Sequence, residues 1–214
     1  LARTLQPGIM VDDRLDLHDV EGGWDFKTPE QVKVAKWPEV NGKRVPWETC
    51  QTFSGSWGYY RDETSWKSTP QLLELLIESV SKGGNLLLNV GPTARGTFDY
   101  RAQERLQSMG EWMKVNGRSI YGCTEPPAGI TAPANTLLTY NPVTRRLYIH
   151  MLAYPMGRLT LKNMADKVKY VQFLHDASEI SMSAPREGGQ NDLSLTLPVL
   201  KPPVEIPVLE VFLK

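Results

Sequence analysis

From Gly83 to Pro92 the chain reads Gly-Gly-Asn-Leu-Leu-Leu-Asn-Val-Gly-Pro. An unbroken apolar run of strand length between glycine and Gly-Pro predicts a strand buried on both faces. Such strands belong to parallel sheets, which need helices to cover them. The residues just before supply one. Thr69 can cap a helix, Pro70 suits its first turn, and Leu72, Leu73, Leu76, Ile77 and Val80 make one apolar stripe, which Gly83-Gly84 ends. A second helix is predicted from about Asp99 to Asn116, with Leu106, Met109 and Met113 inward and Gly117 as its stop. Two further strand candidates lie upstream: Gly8 to Asp12, read as buried, and Trp47 to Thr52. Between them runs a breaker-rich stretch with Gly22, Gly23, Pro29, Pro38 and Gly42, long for a plain connection. Strand alternating with helix is the rhythm of an α/β sheet or barrel.

The pattern changes near Pro126-Pro127. Beyond it no helix is predicted, and apolar residues alternate with their neighbours at Leu147/Ile149/Met151, Leu159/Leu161, Val168/Tyr170 and Leu193/Leu195/Leu197. Turn signals separate them at Asn141-Pro142, Gly157, Gly188-Gly189 and Pro202-Pro203. Short alternating strands with regular turns predict an antiparallel β-sandwich. Two domains follow, 1–127 and 128–214. A closed (β/α)8 barrel takes about 250 residues, so the first domain holds only three or four of its units. Leu1 to Pro7 reads as the tail of a helix, and the chain is expected to continue upstream, any targeting segment with it.

Composition narrows the chemistry. With 24 basic and 24 acidic side chains the formal charge is zero, which gives no pull toward nucleic acid or an anionic membrane. No apolar run is long enough to span a bilayer. Cys50 and Cys123 stand far apart and read as buried free thiols. His18, His150 and His175 lack metal-ligand spacing, no phosphate-binding glycine loop occurs, and no serine sits in a nucleophile elbow. Neither metal nor organic cofactor is expected.

Three polar and aromatic clusters are each read at the C-terminal end of a strand candidate: Asp12-Asp13-Arg14, then Trp47-Glu48 with Ser56-Trp57-Gly58-Tyr59, then Asn89-Val90-Gly91-Pro92. In α/β barrels the C-terminal ends of the strands build the active site. Carboxylates, an arginine and aromatic faces at one mouth suit a sugar: aromatic rings stack on a pyranose, and an arginine can donate to two adjacent oxygens.

In order and spacing, Trp47-Glu48-Thr49-Cys50, Ser56-Trp57-Gly58-Tyr59 and Gly83 to Pro92 with Gly96 resemble the α-L-fucosidases of glycoside hydrolase family 29. Trp112, Asn116-Gly117, Ile120-Tyr121 and the stretch from Leu5-Gln6-Pro7 to Arg14 extend the resemblance. It covers residues 1 to about 125; the sandwich agrees in position and character. The resemblance implies the C-terminal portion of a (β/α)8-like barrel followed by an antiparallel β-sandwich. The implied activity is retaining exo-hydrolysis of terminal α-L-fucosides, acting on fucosylated oligosaccharides or glycoconjugates. The implied setting is secreted, periplasmic or lysosomal. The family's nucleophilic Asp is expected before Leu1, so the 214-residue chain alone is expected to be inactive.

For the acid/base the resemblance points first to Glu48 in the Trp-Glu motif, with Glu21 and Glu30 in the preceding loop as alternatives. Arg14 is implied on fucose hydroxyls, and Trp57 against the sugar's methyl group. Plain structural roles stand beside these: Glu48 pairing with Arg44 or Arg61, Arg14 with Asp12 or Asp13, and Trp57 in the core. The rival functions are a non-catalytic carbohydrate-binding protein on the same scaffold, and a barrel glycosidase for another sugar.

Overall fold

The structure is a computed structural model; it describes residues 1–17, 20–183 and 191–214. His18 and the turn at Gly188-Gly189 lie outside the described residues.

In chain order the elements begin with α1 (Ala2–Leu5), a two-residue hairpin of β1 (Glu39–Val40) and β2 (Lys43–Arg44), and β3 (Glu48–Thr52). Then come α2 (Thr69–Ser81), β4 (Asn85–Asn89), α3 (Tyr100–Asn116) and a 3-10 turn at Gly117–Ser119. The strands of the second half are β5 (Thr136–Asn141), β6 (Arg146–Met151), β7 (Arg158–Leu161), β8 (Val168–Phe173), β9 (Ser181–Ser183), β10 (Leu193–Thr196) and β11 (Val208–Leu213).

The first half is an arc of a parallel sheet. β3 and β4 pair in parallel, Glu48 opposite Asn85 through Thr52 opposite Asn89. Two shorter segments extend the arc through parallel bridges: Lys27 to Trp47 and Glu30 to Cys50, then Asp12 to Phe26. Residues 26–30 are therefore a strand position inside the stretch read from sequence as loop. Pro29 hid it: with no N–H to give, it interrupts the ladder between Lys27, which donates to Pro46, and Gln31, which donates to Cys50.

α2 forms as predicted, but its cap is Ser68, not Thr69. The Ser68 hydroxyl accepts from the Gln71 N–H and the Gln71 side chain accepts from the Ser68 N–H. In α3 the buried residues are Ala102, Trp112 and Asn116, while the predicted inward Leu106 is exposed. Burial on both faces of β4 does not hold either. Leu86 and Leu88 are half-buried under α2, whereas Asn85 and Leu87 face out, Leu87 being 48% exposed, because no described residue covers that side of the arc. Ile9 and Met10 are exposed at its far end for the same reason.

The second half is the antiparallel sandwich, with sheets ordered β5-β6-β11-β8 and β7-β10-β9. Leu147, Ile149, Met151, Leu159, Leu161, Leu193, Leu195 and Leu197 face the inter-sheet core as their alternation predicted. Tyr170 does not. A register shift at Phe212/Leu213 lets Val168, Val171 and Phe173 fill the core while Tyr170 turns out against Phe212. A second core joins the halves: Leu73, Ile77, Val80, Trp112 and Ile120 pack on Tyr148, Leu174, Ile206 and Val208. The fold is thus the C-terminal portion of a (β/α)8-like barrel followed by a β-sandwich. Among the described residues no helix is long and apolar enough to cross a membrane.

Candidate active site

The sheet arc sets the height of each polar residue. Asp12 is level with Phe26, and Lys27 with Trp47, which places Arg14, Thr28 and Glu48 on about one rung. Glu30 stands opposite Cys50, one pleat nearer the C-terminal ends of the strands. Glu48 is the first residue of β3, at the strand's N-terminal end rather than the C-terminal end expected from sequence.

Arg14 joins the two rungs. One arm of its guanidinium, Nη1, donates to the Thr28 carbonyl at 3.2 Å; the other, Nη2, is ion-paired with Glu30 Oε2. That carboxylate raises the Arg14 pKa above its ordinary value. Arg14's own N–H donates to Asp12 Oδ1 at 3.2 Å, so Asp12 shapes the turn rather than pairing with the side chain. The Thr28 N–H donates to Asp13 Oδ1 at 3.0 Å, and the Thr28 hydroxyl donates to Glu48 Oε1 at 3.3 Å. Cys50 lies in the same field: burial pushes its thiol up, Arg14 pulls it back, and Glu30 and Glu48 push it further. Cys50 and Cys123 are free thiols, half-buried rather than fully so.

Of the sequence candidates, Arg14, Glu30 and Glu48 are brought together, and Glu21 is not: it stands exposed in the turn before Gly22-Gly23. The rival partners suggested for Glu48 are taken, since Arg44 pairs with Glu125 and Arg61 with Asp62. Trp57 is 37% exposed, which removes it from the core. It stands in the loop after β3, where its carbonyl accepts from Asn89 Nδ2 at 2.6 Å. A Cβ on Gly91 would lie 2.6 Å from the Gly58 carbonyl carbon, so the turn after β4 clamps that loop by backbone contact. Thr28 was missed as a site residue; its signal in the sequence was its place two residues before Glu30.

The arrangement offers a carboxylate and a guanidinium side by side near one end of a parallel sheet, a second carboxylate a rung away, and an aromatic face in the adjoining loop. It can orient vicinal hydroxyls and move a proton.

Comparison with known proteins agrees with this chemistry. The sequence model of the family described as Alpha-L-fucosidase matches residues 1–118. Plasma alpha-L-fucosidase of Homo sapiens is 39% identical over 120 residues, 54% of this chain and 26% of its own length. Alpha-L-fucosidase of Dictyostelium discoideum is 30% identical over 98% of this chain and 46% of its own. Among solved structures, alpha-L-fucosidase isoenzyme 1 from Paenibacillus thiaminolyticus superposes with a TM-score of 0.88 at 31% identity, covering 100% of this chain and 52% of that one. The chain spans about half or less of the length of these relatives.

Proposed function

The chain belongs to the α-L-fucosidase family, and from that premise we propose that the full-length protein releases terminal α-L-fucose from oligosaccharides or glycoconjugates with retention of configuration. In this reading residues 1–127 are its share of the catalytic barrel and 128–214 a sandwich domain. The observation that carries the reading is the Arg14 fork, held by Glu30 and the Thr28 carbonyl. Its remaining N–H groups, which bond no other described residue, can meet two hydroxyls of one sugar.

Retention needs two carboxylates about 5 Å apart on either side of the glycosidic bond. The nucleophile is an Asp from outside these 214 residues. It attacks the anomeric carbon as the acid/base protonates the departing oxygen; the acid/base then takes a proton from the water that hydrolyses the fucosyl ester. Geometry favours Glu30 over Glu48 for this second role. Glu30 touches the sugar-orienting Arg14 and lies nearer the C-terminal ends of the strands, where barrel enzymes gather their chemistry. Trp57 offers its exposed face to the sugar. A relative named for plasma fits a secreted setting.

The test is hydrolysis by the full-length protein of an aryl α-L-fucoside, with aryl β-D-galactoside and α-D-glucoside as controls. Selective release from the fucoside is expected. Glu30→Gln should lose roughly 10²–10⁴-fold on substrates with poor leaving groups and far less on activated aryl fucosides. Release from none of the three would sink the enzymatic reading in favour of carbohydrate binding. A leaving-group-dependent loss in Glu48→Gln, absent from Glu30→Gln, would move the acid/base to Glu48.

A further inference from the structure

Within the arc, the pairing between segments 26–30 and 11–14 is unlike the pairing next to it. On the β3 side the ladder is backbone to backbone: Lys27 donates to Pro46, Glu48 to Lys27, Cys50 to Pro29 and Gln31 to Cys50. On the other side the backbone bonds, from Asp25 and Phe26 to Val11, are followed at Thr28 by side chains. Asp13 Oδ1 accepts the Thr28 N–H, and Arg14 Nη1 donates to the Thr28 carbonyl. Both main-chain groups of Thr28 are thus satisfied by side chains of the residues that would otherwise extend the ladder. Its hydroxyl reaches the other way, to Glu48. The residue is 5% exposed, so the Thr28 end of each of these part-buried bonds is shielded from water.

We propose that Thr28 is a positioning residue for the fucoside site, with Asp13 and Glu48 as the two anchors that fix it. This inference rests on the reading of Arg14 and Glu30 given above. The physical argument is one of preorganisation. Arg14 is set by a carbonyl and a carboxylate two residues apart on one segment. Any slide of that segment along β3 moves both at once, and displacements of about 1 Å at a reacting centre can cost on the order of 10²-fold in rate. Backbone bonds to β3 alone leave the side facing residues 11–14 to be held by side chains. Asp13 holds the N–H there, and the Thr28–Glu48 bond locks the same residue to the first position of β3. Glu48 thereby has a role that is not proton transfer to the leaving group.

The experiment uses the full-length protein with Thr28→Val, Thr28→Ser, Glu48→Gln and the Thr28→Val/Glu48→Gln double variant. Each is assayed on an activated aryl α-L-fucoside and on one with a poor leaving group. Thr28→Val keeps the shape and deletes the hydroxyl; losing a hydrogen bond to a charged group predicts a drop of roughly 10- to 100-fold in kcat/KM. Thr28→Ser restores the hydroxyl and should return to within about 3-fold of the parent. Since both singles act on one bond, Thr28→Val by deleting its donor and Glu48→Gln by removing the charge of its acceptor, the double should be no worse than the poorer single. The loss should appear on both substrates, because Arg14 orients the sugar whichever group departs, and be at least as large where the leaving group is poor, because Glu30 moves with the same segment.

A Thr28→Val protein within 2-fold of the parent would overturn the proposal. So would equal losses in the Val and Ser variants, or losses that multiply in the double, since these mark a general packing role. A loss in Glu48→Gln confined to the poor leaving group would instead show Glu48 to be the acid. That outcome removes the Glu30 reading, whereas a silent Thr28 beside a damaged Glu30→Gln leaves the reading standing and removes only this inference.

Discussion

His150 is fully buried between the four-stranded sheet and the helices, and its bonds fix its tautomer. The Thr139 hydroxyl donates to the Ser119 carbonyl at 2.7 Å, so the 2.9 Å contact between Thr139 Oγ1 and His150 Nε2 must be donated by the ring. Nδ1 is then a bare acceptor with no partner, and protonating it would bury an unpaired N–H and a charge. Burial accordingly pushes the His150 pKa down to about 3. The sign follows: the unfolded chain binds this proton near pH 6.5 and the folded one does not, so stability is lost as pH falls below that value. Urea unfolding should show a component approaching about 1.4 kcal/mol per pH unit below pH 6, persisting toward pH 3. His150→Gln, which keeps an amide donor for Thr139, should remove that component; an unchanged slope would mean that the ring is not held neutral.

At the scale of elements, the junction between α2 and β4 depends on two glycines under two indoles. A Cβ on Gly84 would lie 2.3 Å from the Trp47 ring, and one on Gly83, whose φ is +75°, would lie 2.0 Å from Trp37. Gly110, in the exposed middle of α3, would meet nothing within 4 Å. Gly84→Ala should therefore cost about 1–3 kcal/mol through overpacking, while Gly110→Ala should gain up to about 1 kcal/mol through helix propensity. Chemical denaturation midpoints of the pair decide this, and equal shifts would contradict the packing described. The same junction shows what the sequence could reveal. α2 was legible because cap, proline and stripe agree within a dozen residues. Segment 26–30 was not, because its pairing depends on bridges to residues 11–12 and 47–50 that leave no local apolar period, and Pro29 reads as a breaker. With that segment unseen, Glu30 could be placed only in a loop, while Glu48 came first through the Trp-Glu motif that carries the resemblance. Arg14 could be named, but not its partner sixteen residues away. Tyr170 failed for a related reason, since the extra residue that turns it outward, Lys169 opposite the Phe212/Leu213 step, shows only in the pairing with β11.

At the scale of the molecule, the barrel arc and the sandwich share a core. Trp112 is 3% exposed within it, and its indole N–H donates to the Ile206 carbonyl at 3.0 Å. The halves should then unfold as one unit in this chain: near-UV dichroism, reporting the tryptophans of the arc, and far-UV dichroism at strand wavelengths should trace a single transition. Trp112→Ala should cost about 3–5 kcal/mol and pull the two traces apart. Two separate transitions in the unaltered chain would count against a shared core.

The bond between Trp112 and Ile206 spans 94 positions of sequence. A ribosome adding roughly 5–20 residues each second needs about 5 to 20 s to cover that gap. Through that interval the apolar faces of α2 and α3 are in the cell without the strands that will cover them. Nascent-chain chaperones therefore have a defined target, the stripe Leu73, Ile77, Val80 and Trp112, and a defined moment of release, when Val208–Leu213 slots between β6 and β8.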